Sequence, residues 1–267
     1  MIIKNSTLLI AAFFSLSILS SCSDDDVTPQ AGEFTLEFDS RAGDANLQLN
    51  TANTLYSNAK GQTFNVTLFQ YYISNIKLKR EDGTYFEDPM STDGSKGFYL
   101  IKESEPGSEE IVLKDVPAGK YTEVTFTIGV DGNQINQGAQ TGALDPANMM
   151  FWSWNSGWIF VAFEGTSPQS TETGNALVYH TGGYKSDPAN ANLVNNLRTK
   201  TLSFGETAEV EKGREAAGHI LFDVAKLFAS PNQIDFSSNA ARHSPASCQT
   251  VADNYVNAFT FDHLHND

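Results

Sequence analysis

Polar and apolar residues alternate from Glu33 onward: Phe34, Leu36 and Phe38 are separated by Thr35 and Glu37 and followed by Asp39. Successive side chains of an extended chain point to opposite faces, so a period of two predicts a strand with one face buried. Strand signals recur at Phe64 to Leu68, Val124 to Val130, Trp158 to Phe163, Ala176 to His180 and His219 to Val224. Turn-forming clusters divide them, among them Glu81-Asp82-Gly83, Pro117-Ala118-Gly119-Lys120 and Gly182-Gly183. The pattern predicts an all-β fold, an antiparallel β-sandwich with long loops. Two stretches depart from it. Pro146 to Trp158 concentrates Met149, Met150, Trp152, Trp154 and Trp158, with Trp152 and Trp154 spaced to share a strand face. Near the C-terminus, Cys248, Val251, Ala252, Tyr255 and Phe259 fall on one face of a helix, which predicts a short C-terminal helix with Ser247 available to cap its start.

The N-terminus follows other rules. Lys4 precedes an apolar run from Leu8 to Leu19. As a helix that run would reach about 18 Å, short of the ~30 Å hydrocarbon core, so residues 1–21 are expected to be an export signal rather than a permanent span. Leu19-Ser20-Ser21-Cys22 resembles the lipobox of bacterial lipoproteins, which implies acylation of Cys22 and anchorage to a lipid membrane. Asp24, Asp25 and Asp26 open a stretch without apolar periodicity, so residues 22–33 read as a solvated acidic and polar tether to a single β domain over residues 34–267. An acidic run after the acylated Cys also resembles the export tag of surface lipoproteins, and the expected location is the outer membrane, facing the periplasm or the cell surface. With Cys22 acylated, Cys248 has no disulfide partner within the chain.

Seventeen Lys and Arg against 32 Asp and Glu leave a formal charge of −15, a field that repels phosphate backbones and predicts no nucleic-acid partner. Hydrophobic residues at 40% exclude a disordered acidic chain. There is no Gly-x-Ser-x-Gly elbow, phosphate loop, paired-Cys motif or His-Glu-x-x-His, so no enzyme is expected. Asp131-Gly132-Asn133 reads as a turn, because Gly142 stands where a calcium loop needs its last acidic ligand. Five His remain. His180 closes a strand ahead of Thr181-Gly182-Gly183, His243 and His263 flank the predicted helix, and His263 and His265 are spaced to face the same way. Imidazoles without paired thiolates suit copper, zinc or nickel. Each His also has an ordinary reading as a hydrogen-bonded core or surface residue.

Several separate blocks carry a family resemblance. Gln70-Tyr71-Tyr72-Ile73-Ser74-Asn75-Ile76-Lys77-Leu78, Phe126-Thr127-Ile128-Gly129-Val130-Asp131, and Ala143-Leu144-Asp145-Pro146 leading into Met150-Phe151-Trp152-Ser153-Trp154-Asn155-Ser156-Gly157-Trp158 resemble the MbnP-like family of periplasmic copper-binding proteins. Tyr179-His180-Thr181-Gly182, Phe222-Asp223, His243 and Ala252-Asp253-Asn254 extend the resemblance over essentially residues 34 to 265. It implies a β-rich domain that binds copper, and a diheme peroxidase-like partner that oxidises a Trp to kynurenine, with Trp152 and Trp154 as the matching positions. It also implies His180 and His243 as ligands. His263 is added as a further candidate, and Asp131 and Asp223 as carboxylates that orient the imidazoles. Members often carry a His in the first strand, where this chain has Phe38-Asp39-Ser40; an Asp39 carboxylate in its place would be a harder ligand. The competing reading is a surface-displayed module that binds a protein or glycan through its loops, with incidental His and no metal.

Overall fold

The computed structural model describes residues 30–52, 56–132, 134, 140–153 and 156–266; Cys22, the export signal and Trp154 lie outside the described residues. In chain order the strands are β1 (Gly32–Ala42), β2 (Ala45–Asn46), β3 (Tyr56–Ser57), β4 (Thr63–Arg80), β5 (Tyr85–Glu87), β6 (Phe98–Lys102), β7 (Glu110–Val116) and β8 (Gly119–Ile128). They continue with β9 (Phe151–Ser153), β10 (Gly157–Thr166), β11 (Ala176–Gly182), β12 (Arg198–Val210), β13 (Ala216–Asp223) and β14 (Ala241–Arg242). The helix α1 (Pro245–Tyr255) and a last strand, β15 (Phe259–Asn266), follow.

Two sheets form. In the smaller, β15, β13 and β1 lie side by side, with β7 and β2 paired to the other edge of β1. The larger runs β12-β8-β4-β10-β11-β14, with β3, β5 and β6 added to β4 and β9 to β10. Phe34, Leu36 and Phe38 of β1 are fully buried between them. Phe38 meets the rings of Tyr71, Phe126 and Phe259 edge to face, at centroid distances of 6.4, 5.8 and 6.4 Å, an arrangement aromatic quadrupoles favour. The all-β, sandwich-like layout with a short C-terminal helix is thus the expected one. Its sheets are mixed rather than purely antiparallel, since β1 runs parallel to β13 and β11 parallel to β14. These pairs are far apart in the chain, and no hairpin dictates their direction.

β4 holds the larger sheet together. Its first half pairs with β10 and its second with β8, and between them Asn75 takes a left-handed conformation (φ 52°) where the register shifts. Asn tolerates that conformation better than other residues with a side chain, and the irregularity bends the strand.

β10 is not the half-buried strand its alternation suggests. Every residue from Gly157 to Phe163 is buried, because Leu144 and Met150 cover the outer side of the sheet beside Tyr72, Phe98 and Phe160. Trp158 lies in that second core and donates its indole N–H to the Leu144 carbonyl at 3.2 Å.

α1 starts one turn earlier than the sequence implies. Ser244 is the cap, accepting from the Ser247 N–H, while the Ser247 hydroxyl accepts from the Ser244 N–H at 3.1 Å. Cys248, Val251, Ala252 and Tyr255 form its buried face, but Phe259 belongs to β15, opposite Phe222. Among the described residues no helix is long and apolar enough to cross a membrane. β1 begins at Gly32, and Gln30 is already held to Lys212 through both main chain and side chain, so the ordered fold reaches into the stretch read as tether.

Candidate metal centre

His180 stands on the outward face of β11, between buried Tyr179 and Thr181. β10 places Ala162 opposite it and Glu164 opposite Val178, so the Glu164 side chain lies diagonally beside the imidazole. His180 Nε2 and Glu164 Oε1 are 2.9 Å apart. On the other edge, β14 pairs in parallel with β11 through Val178 with Ala241 and Tyr179 with Arg242. One further step along that register sets His243 beside His180, with ring centroids 5.6 Å apart and the rings nearly perpendicular. Burial, with the charge of His180, holds the His243 imidazole below its ordinary pKa against the opposing pull of Glu172 and Glu164. His243 therefore keeps a free lone pair to lower pH than an ordinary imidazole.

The indole of Trp152 completes this edge. Trp152 is half-buried on β9, and its ring lies against Gly182, two residues beyond His180 on the same face. A Cβ at Gly182 would stand 2.3 Å from the Trp158 carbonyl oxygen and 3.0 Å from the Trp152 ring, so the position admits no side chain unless its neighbours move. Asn196 donates to the carbonyls of Gly182 and Pro245 at 2.7 and 2.8 Å, tying the segment after His243 to the end of β11. Buried Cys248 donates its Sγ–H to the His180 carbonyl at 3.1 Å, and burial raises its thiol pKa.

His263 does not join this group. It lies on β15 in the other sheet, with Asp262, His219 and His265, so the expected trio of His180, His243 and His263 is split between two sheets. Of the two carboxylates expected to orient imidazoles, Asp223 is engaged elsewhere. Asp223 caps the turn after β13, accepting from the Ala225 and Gly43 N–H groups at 3.1 and 3.0 Å. Asp131 lies just beyond β8, next to Gly132, which packs under the Tyr184 ring. Among the described residues the carboxylates on imidazoles are Glu164 at His180, Asp39 and Asp262 at His219, and Asp262 at His263. Asp39 thus faces His219 rather than the His180 edge, and Ser40 beside it is buried. Glu164 was legible only as a polar residue ending an apolar run, and its role depends on a cross-strand register.

Fold and site together define a two-sheet β domain with an imidazole pair, a carboxylate and an indole gathered at one sheet edge. A family model for MbnP matches residues 31–250, and the chain belongs to the MbnP family. Among solved structures it is similar to MbnP from Methylosinus trichosporium, with a TM-score of 0.54 and 14% identity over 83% of this chain and 87% of that chain, a likeness of fold. A candidate cell adhesion protein from Bacteroides eggerthii is 7% identical over 91% of this chain and 97% of that one, with a TM-score of 0.15. No curated protein matches the chain.

Proposed function

We propose that this MbnP-family protein is a lipid-anchored, extracytoplasmic copper-binding protein of acquisition or handling, not an enzyme, with His180 and His243 as its imidazole ligands. The observation that carries the reading is the approach of these two rings at one sheet edge, with the Trp152 ring against Gly182 two residues along β11 from His180. The donor set fits the ion. Imidazole nitrogens suit copper, and one ion about 2 Å from a nitrogen of each ring is compatible with centroids 5.6 Å apart. Glu164 orients His180, as carboxylates commonly do for metal-bound imidazoles. Trp152 and Trp154 are the residues open to oxidation to kynurenine by a diheme peroxidase-like partner. Of the two, Trp152 is the one whose ring lies against Gly182, two residues along β11 from His180. Acylated Cys22 would hold the domain at the outer membrane, on its periplasmic or surface side.

Titration of the protein with Cu(I), which the mixed imidazole and carboxylate donors elsewhere on the molecule suit poorly, is expected to give near-stoichiometric binding, weakened at least about tenfold in His180→Ala and in His243→Ala. Equal binding in both variants refutes the assignment. The competing reading, a metal-free display module, is favoured by the absence of a first-strand His and predicts weak copper binding indifferent to either substitution. Mass spectrometry of protein from cells that carry the partner tests the kynurenine step separately.

A further inference from the structure

The three His outside this edge gather on the opposite sheet. His219 on β13 pairs across with His263 on β15, and Ala217 pairs with His265. The register then shifts, so that His263 faces His219 while Phe261 faces Ile220, and Asp262 is the extra residue of a β-bulge. The bulge turns Asp262 and His263 to the same outer face, which an unbroken strand could not do for neighbouring residues. The Asp262 carboxylate oxygen Oδ2 then lies 3.1 Å from His219 Nδ1 and 2.9 Å from His263 Nδ1.

Three potential donors from two strands are therefore converged, with one ligand atom from each within 4.8 Å of the others. Ligands about 2.0–2.1 Å from a tetrahedral ion stand roughly 3.3 Å apart, close to the two spacings observed. Each imidazole is also braced on its far nitrogen. His219 Nε2 meets Asp39 Oδ2 at 2.7 Å, and His263 Nε2 meets His265 Nε2 at 2.9 Å. A carboxylate behind a ligating imidazole fixes its tautomer and raises its basicity. The outer side remains open, since Asp262 and His263 are nearly half exposed. A cleft of about 910 Å³ adjoins it on the same sheet, lined in part by Glu37 and Ala217, the strand partners of His219 and His265.

We propose that His219, Asp262 and His263 form a second metal site, for a divalent first-row transition ion of the class that takes mixed imidazole and carboxylate donors, with Asp39 and His265 bracing the ligands. Two nitrogens and one oxygen on one face leave coordination positions free for water or a ligand from the cleft. This site shares no residue with the His180 edge, and the two stand or fall separately.

The test is zinc binding by the full chain, by calorimetry and equilibrium dialysis, in a His180→Ala/His243→Ala background that removes the other imidazole pair. One zinc per chain is expected to remain there and to raise the unfolding temperature. Asp262→Asn and His263→Gln, added singly to that background, are each expected to weaken zinc at least about tenfold while circular dichroism shows the fold kept. Copper(II) in the same background is expected to bind more tightly than zinc and to give nitrogen hyperfine lines from two imidazoles. The proposal is overturned if the background variant binds no zinc, or if both added substitutions leave zinc affinity unchanged.

Discussion

Burial against charge decides the behaviour of single residues here, and Glu103 is the sharpest case. Its carboxyl is pushed up to about 7 by burial, which outweighs a hydrogen bond from Ser40 and is reinforced by Glu109 and Asp39. Its Oε2 is buried without a partner. Below the ordinary carboxylate pKa both the folded and unfolded chain hold this proton, and the group leaves stability unchanged. As pH rises from there towards 7 the unfolded chain ionises while the folded one does not, so stability falls; above 7 the loss is complete. Glu103→Gln is accordingly expected to raise stability at pH 8 by about 1–2 kcal/mol, allowing for solvent screening at a partly exposed group. Urea denaturation should show the gain vanish near pH 4. His219 shifts for the opposite reason. Burial would lower its pKa, but hydrogen bonds and charge from Asp262 and Asp39 prevail and raise it. Nothing in the local sequence around Glu103 or His219 marks these environments, since Asp39 and Asp262 reach His219 from different strands.

At the scale of elements, the strands were the legible part. Phe34, Leu36 and Phe38 in β1, and Leu177 and Tyr179 in β11, point inward as their period of two demands. The failures have local causes. β10 lost its alternation because the segment carrying Leu144 and Met150 folds over its outer face, and α1 lost Phe259 because the chain turns after Tyr255 to pair with β13. The start of α1 bears on the His180 edge, since its cap Ser244 directly follows His243. Ser244→Ala removes the side-chain arm of the capping box, leaving the main-chain N–H of residue 244 to donate to the Ser247 hydroxyl, and is expected to cost about 1 kcal/mol of stability, measurable as a lower urea midpoint at constant slope. The short strand β14 has few bonds of its own, so the position of His243 depends on this cap and on the Asn196 bridge.

Over the whole molecule, a formal charge of −15 surrounds both imidazole groups and attracts cations while repelling polyanions. No retardation of DNA or RNA is therefore expected in a gel at low salt, where electrostatic binding would be strongest. Such a shift would contradict the charge argument. The alternation and the turn residues determined an all-β sandwich, and the charge sets the expectation of no nucleic-acid partner, because these depend on side-chain periodicity and summed charge alone. Which imidazoles meet was decided only by strand order. A parallel register brought His243 to His180, a bulge turned Asp262 and His263 together beside His219, and the separation of β11 from β15 into different sheets divided the five His. Pairings between strands distant in the chain are chosen by the packing of the whole core, and no window of sequence contains that energy.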